Sequence, residues 1–186
     1  SSHDSVRGKP NVLLRFFNAI CKVYVTVLRG TPLMVQLLIM GFVIMVPKGD
    51  FETNLCAIIT LGINSGAYVA EIARSGIMSI PAGQMEAGRS LGLNYAQTMR
   101  FIIIPQAFKN ILPALGNELI ALLKETSLVT VIALQDVTKA AQVIVSKTYT
   151  ATIPYISLAL IYLVLVMILT KLLGILERRL RESDKR

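Results

Sequence analysis

Apolar runs interrupted by few charges dominate the chain. The purest is Ile153 to Thr170, "IPYISLALIYLVLVMILT", with no charged residue in 18 positions. That length suits a helix through the hydrocarbon core of a bilayer, which takes roughly 20 apolar residues. Three longer runs carry isolated charges: Val23 to Pro47 contains Arg29, Leu55 to Ile80 contains Glu71 and Arg74, and Phe101 to Leu123 contains Lys109 and Glu118. Charges inside membrane helices face the bundle interior or a polar path rather than lipid. The pattern predicts four spans, at about 23–47, 55–80, 98–125 and 152–176, in a single all-α transmembrane unit covering 1–186.

Finer features punctuate these spans. Asn11 to Leu28 has helical periodicity with basic residues at Arg15, Lys22 and Arg29, which predicts an interfacial helix leading into the first span. "RGTP" then breaks it, because Pro32 disfavours a helical residue before it. Broken helices at membrane depth are tolerated where they line protein or a cavity. Gly62, Gly66 and Ala70 share one face of the second span and predict close packing within the bundle. Glu71 and Arg74 are placed to pair. Pro81 suits the start of a short polar helix over about 81–93. The connection 125–153 is polar and predicts a short helix near Leu134 to Val145.

Composition agrees with a membrane protein. The chain has 186 residues, 54% hydrophobic and 16% charged, with mean hydropathy +0.62. A soluble domain carries about 25% charged residues. The net charge of +8 would suit a nucleic-acid partner, but fifteen of the nineteen Lys and Arg fall in 1–30, 73–110 and 171–186. Four crossings that begin and end inside put these three stretches on the cytoplasmic side, so the positive-inside rule accounts for the charge without nucleic acid. Cys21 and Cys56 lack a partner spacing and read as small hydrophobes. The opening "SSHDSVRGKP" resembles a loop after an earlier helix, so a preceding N-terminal segment is expected. The tail "ERRLRESDKR" reads as a solvated inner end.

Catalytic signatures are missing. There is no phosphate-binding G-x-x-x-x-G-K-[ST], no H-E-x-x-H and no Cys/His cluster, and the single histidine is His3. An enzymatic role, a metal site and a cofactor in this chain are therefore not expected. Transporter subunit, passive channel and membrane scaffold remain.

One polar island narrows the choice. "EAGRSLG", Glu86 to Gly92, followed after nine residues by Ile102, Ile104 and Pro105, resembles the coupling-loop signature E-A-A-x-x-x-G…I-x-L-P of membrane subunits in bacterial ATP-binding-cassette importers. Gly88 replaces the second alanine and Ile104 the leucine. "YVTVLRGTPLMVQ", "AYVAEIARSGIMSIPAGQMEAGRSLG" and "LLKETSLVTVIALQDVTKAAQ" are similar to the polar amino acid subfamily. The resemblance implies the type I importer permease fold, lacking its first helix, in a bacterial inner membrane. It implies separate ATPase subunits that bind ATP, an extracytoplasmic solute-binding protein or domain, a second permease subunit and surrounding lipid. Glu86, Ala87, Gly88, Arg89 and Gly92 would contact the ATPase, with the small residues allowing close approach and the charged ones making contacts. On that view Gly88→Trp leaves the chain folded and blocks only docking.

The third span carries the substrate expectation. Gln106, Asn110, Pro113, Asn117, Ala121 and Lys124 recur at three- and four-residue steps on one helix face, flanked by Glu118 and Glu125. Glu118 and Lys124 stand about 9 Å apart along the axis, at about 1.5 Å per residue. That span fits an extended amino acid with its carboxylate toward the lysine and a cationic group toward the glutamate. Asn117, Glu118 and Lys124, with Thr31 at the broken helix, are the candidate substrate contacts. Arginine, lysine, histidine or glutamine is the expected substrate.

Overall fold

The computed structural model describes residues 12–182, with the side chains of 179–182 left aside. The opening loop, including His3, and the end of the charged tail lie outside the described residues. All regular structure among the described residues is helical. It comprises α1 (Val12–Gly30), α2 (Leu33–Ile39), α3 (Asp50–Met78), α4 (Ala82–Ser90), α5 (Tyr95–Thr98), α6 (Ile104–Glu125), α7 (Val137–Thr148) and α8 (Thr152–Glu182). A π-turn over Met40–Ile44 extends α2, and another over Met99–Ile103 joins α5 to α6. A 3-10 segment, Thr126–Ile132, follows α6.

The break at "RGTP" is present, and it divides the expected span 23–47 into two helices. α1 and the α2 unit meet at 105°. Pro32 has φ −63° and ψ 135° and starts α2 in an extended conformation. α3 and α8 are each long and apolar enough to cross a bilayer, and the two bent helix pairs raise the number of possible crossings to four. α3 starts at Asp50, five residues before the expected 55, because Asp50 and Glu52 occupy its first turn where acidic side chains complement the helix dipole. The expected helix near 134–145 runs from Val137 to Thr148, capped by the Asp136 carboxylate, which accepts from the Lys139 amide at 2.7 Å.

The core lies where α2, α3 and the 3-10 segment meet, through Leu33, Leu37, Cys56, Ala57, Val129 and Ile132. Small residues set the helix crossings. A Cβ on Gly76 of α3 would sit 2.3 Å from an Ile111 side-chain carbon of α6, and one on Gly116 of α6 would sit 2.1 Å from Leu173 of α8. Such close approach substitutes for the hydrophobic force that helices lack in lipid. Gly66 packs against the Tyr24 hydroxyl of α1, so this glycine serves the bundle; Gly62 faces open space. Large apolar side chains on α1 and α8, among them Phe16, Ile20, Leu163 and Met167, are exposed, as lipid-facing positions must be. Cys56 is buried and Cys21 exposed, and both are free thiols.

Candidate functional site

The island "EAGRSLG" folds as a helical hairpin with a stop and a start signal back to back. α4 ends in a Schellman motif: the Leu93 amide donates to the Gly88 carbonyl at 3.2 Å and the Gly92 amide to that of Arg89 at 3.0 Å. Gly92 has φ +86°, a left-handed conformation that L side chains rarely adopt. Asn94 then opens α5 with a capping box, its side chain accepting from the Gln97 amide while the Gln97 side chain accepts from its own. Gly88 does not face outward, contrary to the expectation that it makes room for a partner. It is buried, and a Cβ there would lie 2.5 Å from Thr98 Cγ2 and 2.9 Å from Ile102 Cδ1. The fixed spacing from Gly88 to Ile102 therefore closes the hairpin on itself. Glu86, Ala87 and Arg89 are exposed on the other side of α4.

Polar side chains tie this hairpin to the bundle. Asn110 donates to Ser79 Oγ at 2.9 Å, and Gln106 donates to Gln84 Oε1 at 3.4 Å and to the Ile102 carbonyl at 2.9 Å. Two residues expected on the α6 pathway face thus hold the corner between α3 and α4. The hairpin and the start of α6 form one connected body.

The break between α1 and α2 is sealed by residues that sequence reasoning missed. Gln36 donates to the Leu28 carbonyl at 2.8 Å, the Thr31 carbonyl at 3.1 Å and Thr31 Oγ1 at 2.9 Å. Asn64 of α3 donates to Gln36 Oε1 at 2.9 Å and to the Leu28 carbonyl at 3.4 Å. Gln36 and Asn64 are both buried. The carbonyls freed by the break find partners in this way, as a low-dielectric setting demands. A glutamine four residues after Pro32 in an otherwise apolar run was the available signal.

The four expected substrate contacts are not gathered in one place. Thr31 Oγ1 already donates to the Val27 carbonyl at 2.8 Å and accepts from Gln36, so its hydroxyl serves the break. It lines a mostly apolar cavity of about 240 Å³ with Gln36, Thr60 and Ile63. Glu118 is half-buried and accepts from Ser65 at 3.2 Å. Ser65 and Ile63 are two apart on α3, about 200° around the axis, so Glu118 and the Thr31 cavity lie on opposite sides of that helix. Asn117 and Lys124 are exposed on α6.

A second charged group was only half foreseen. Arg74 forms the expected pair with Glu71, through Nε at 3.0 Å and also through Nη2. Arg29, from the end of α1, also reaches Glu71, at 3.7 Å, and lies over the Tyr68 ring at 5.3 Å. The packing of α1 against α3 brings it there.

Comparison with known proteins decides among the remaining classes. Residues 9–182 match the family of binding-protein-dependent transport system inner membrane components. The chain belongs to this family. The arginine transport system permease protein ArtQ of Bacillus subtilis (strain 168) is 45% identical over 171 residues, covering 91% of this chain and 78% of the relative. The glutamine transport system permease protein GlnP of Escherichia coli (strain K12) is 37% identical over 166 residues, 88% of this chain and 76% of the relative. A crystal structure of an amino acid ABC transporter with histidines superposes with a TM-score of 0.83 at 47% identity, over 89% of this chain and 78% of that one. The inward-facing MetNI methionine ABC transporter shares the fold at a TM-score of 0.69 and 22% identity, over 90% and 76%. For an inner membrane transport component, the exposed apolar faces of α1 and α8 meet lipid or neighbouring helices, and the membrane location is that of the family.

Proposed function

We propose that this chain is the transmembrane subunit of an ATP-driven amino acid importer. It lines the substrate pathway, binds no ATP itself, and couples to separate ATPase subunits that do. An extracytoplasmic solute-binding protein delivers substrate, and a second permease subunit, identical or different, completes the pathway. The chain crosses four times with 81–93 and both ends inside. One observation carries this reading: α4 is capped at its end, packed through Gly88 onto Thr98 and Ile102, and tied to α6 through Gln106, leaving Glu86, Ala87 and Arg89 outward on a body joined to α6. Such a surface transmits a push from a docked ATPase to the bundle.

The test is uptake into proteoliposomes by the chain assembled with its ATPase and binding protein. ATP-dependent accumulation of arginine, lysine, histidine or glutamine is expected. Equilibration without ATP would instead indicate a passive channel. Glu86→Lys is expected to insert normally, with a cysteine at Arg89 labelled from the inner side only, yet to abolish substrate-stimulated ATP hydrolysis. Normal coupling in this variant would remove the docking assignment.

Asn117, Glu118 and Lys124 are proposed substrate contacts on α6, and a basic amino acid is the favoured substrate because Glu118 supplies a negative group to the bundle. Thr31 contributes a wall of a separate cavity, on the other side of α3, with Gln36 and Thr60. Glu118→Gln is expected to weaken uptake of a cationic amino acid about tenfold relative to glutamine, the scale of one lost charge-assisted hydrogen bond. Equal effects on both substrates would contradict the role of Glu118.

A further inference from the structure

Two cavities meet at one charged group. A groove of about 1030 Å³ runs along α1 past Arg15 and Lys22 to Arg29, Glu71 and Arg74. A second cavity of about 490 Å³ continues from Arg29 and Glu71 past Tyr68 and Ser75 to Ser79 and Asn110. Arg29 and Glu71 line both. The same two side chains therefore border both spaces.

The hydrogen-bond inventory at this junction is unequal. Glu71 is taken by the Arg74 fork, which donates from Nε and Nη2 to its two oxygens. Arg29 donates no hydrogen bond to any described residue. Its contacts are the 3.7 Å approach to Glu71 Oε2 and the Tyr68 face. Stacking on a ring fixes the plane of a guanidinium while leaving its edge open. The Arg29 side chain is 39% exposed, so the edge is reachable. Two guanidiniums share one carboxylate here, which leaves one uncompensated positive charge. The ligand that fits a free guanidinium edge is a carboxylate held by two parallel hydrogen bonds.

We propose that Arg29 binds the α-carboxylate of the transported amino acid at the junction of these two cavities. This rests on the amino acid import described above. Arg29 recognises the group common to all amino acids, and the side chain of the substrate is read elsewhere, by residues such as Glu118. No bond is made or broken; the substrate carboxylate neutralises the spare charge on arrival and restores it on leaving.

The experiment is direct binding to the purified permease–ATPase complex without the solute-binding protein, which would otherwise impose its own selectivity. Arginine, lysine, histidine and glutamine are each compared with their α-carboxamides, with basal ATP hydrolysis as the control for assembly. Wild type is expected to prefer the free acid at least tenfold. Arg29→Gln is expected to weaken acid binding about ten- to a hundredfold, the scale of a lost charge-assisted contact, and to leave carboxamide binding unchanged, erasing the preference. Arg29→Lys keeps the charge without the fork and is expected to fall between them; it decides the matter if the glutamine variant does not assemble. Wild-type preference retained in the variants, or no preference in wild type, overturns the proposal. A groove that instead holds an anionic lipid headgroup would show Arg29-dependent stabilisation by phosphatidylglycerol with acid preference untouched, and that too overturns it. Absence of ATP-driven uptake by the assembled wild-type importer is a separate result and defeats the import reading itself.

Discussion

Gly88→Trp is expected to unmake the α4–α5 hairpin and to lower the thermal-unfolding midpoint of the assembled permease, in addition to abolishing coupled transport. The Cβ alone would stand 2.5 Å from Thr98 Cγ2, and Thr98 is fully buried with no room to retreat. Overpacking by a methylene or two costs about 1–3 kcal/mol, and an indole exceeds that. This reverses the expectation drawn from the sequence, where Gly88 stood as a surface residue and tryptophan there spared the fold. The smaller change Gly88→Ala gives the sharper check. It is expected to destabilise by about 1 kcal/mol or more, and Thr98→Ser, which deletes the clashing methyl, is expected to restore part of the loss. A Gly88→Trp variant with the wild-type midpoint and wild-type resistance to proteolysis at 82–98 would show that the glycine faces outward after all.

Gln36→Leu is expected to be the most destabilising single change near the broken helix. Gln36 serves the Leu28 and Thr31 carbonyls, the Thr31 hydroxyl and the Asn64 amide at once. A leucine matches its bulk and satisfies none of them. Each buried polar group left without a partner costs about 1–3 kcal/mol, so a loss of at least about 2 kcal/mol is expected, visible as a fall in the midpoint measured in detergent. Asn64→Leu removes a smaller share of the same network. Because the two residues are bonded to each other, the double variant is expected to lose less than the sum of the single losses. Strict additivity would mean that the two act independently and that the break is held by something else.

The helices and their punctuation were legible because both follow from local chemistry. The break at Pro32, the helix after Pro81 and the Glu71–Arg74 pair depend on neighbours within a turn or two. The spacing from Glu86 to Pro105 was legible as a pattern but not as a cause. Hydropathy identifies residues that avoid water, yet a lipid-facing position and a position against another helix look equally apolar. Nothing in the run of residues therefore showed that Gly88 turns inward to Thr98. For the same reason Gln36 and Asn64 read as stray polar residues until a fold placed them 2.9 Å apart. The substrate expectation suffered most. Helical spacing put six residues on one face of α6, but Gln106 and Asn110 are bonded to the α3–α4 corner, and Arg29, 42 residues before Glu71 in the chain, arrives only through the packing of α1 on α3.

The π-turn at Met99–Ile103 has a consequence for how such a chain tolerates insertion and deletion. A π-turn holds one residue more than the α-helix it interrupts. Losing one of its uncharged residues would leave the net charge and every cap unchanged, yet would turn all of α6 by about 100° relative to the hairpin before it. Asn117 and Glu118 are adjacent in the chain and so differ by the same angle. The deletion would hand the direction now held by one to the other. The single surplus residue acts as an angular setting between the α4–α5 hairpin and α6, and it fixes which line of α6 side chains each neighbouring element meets.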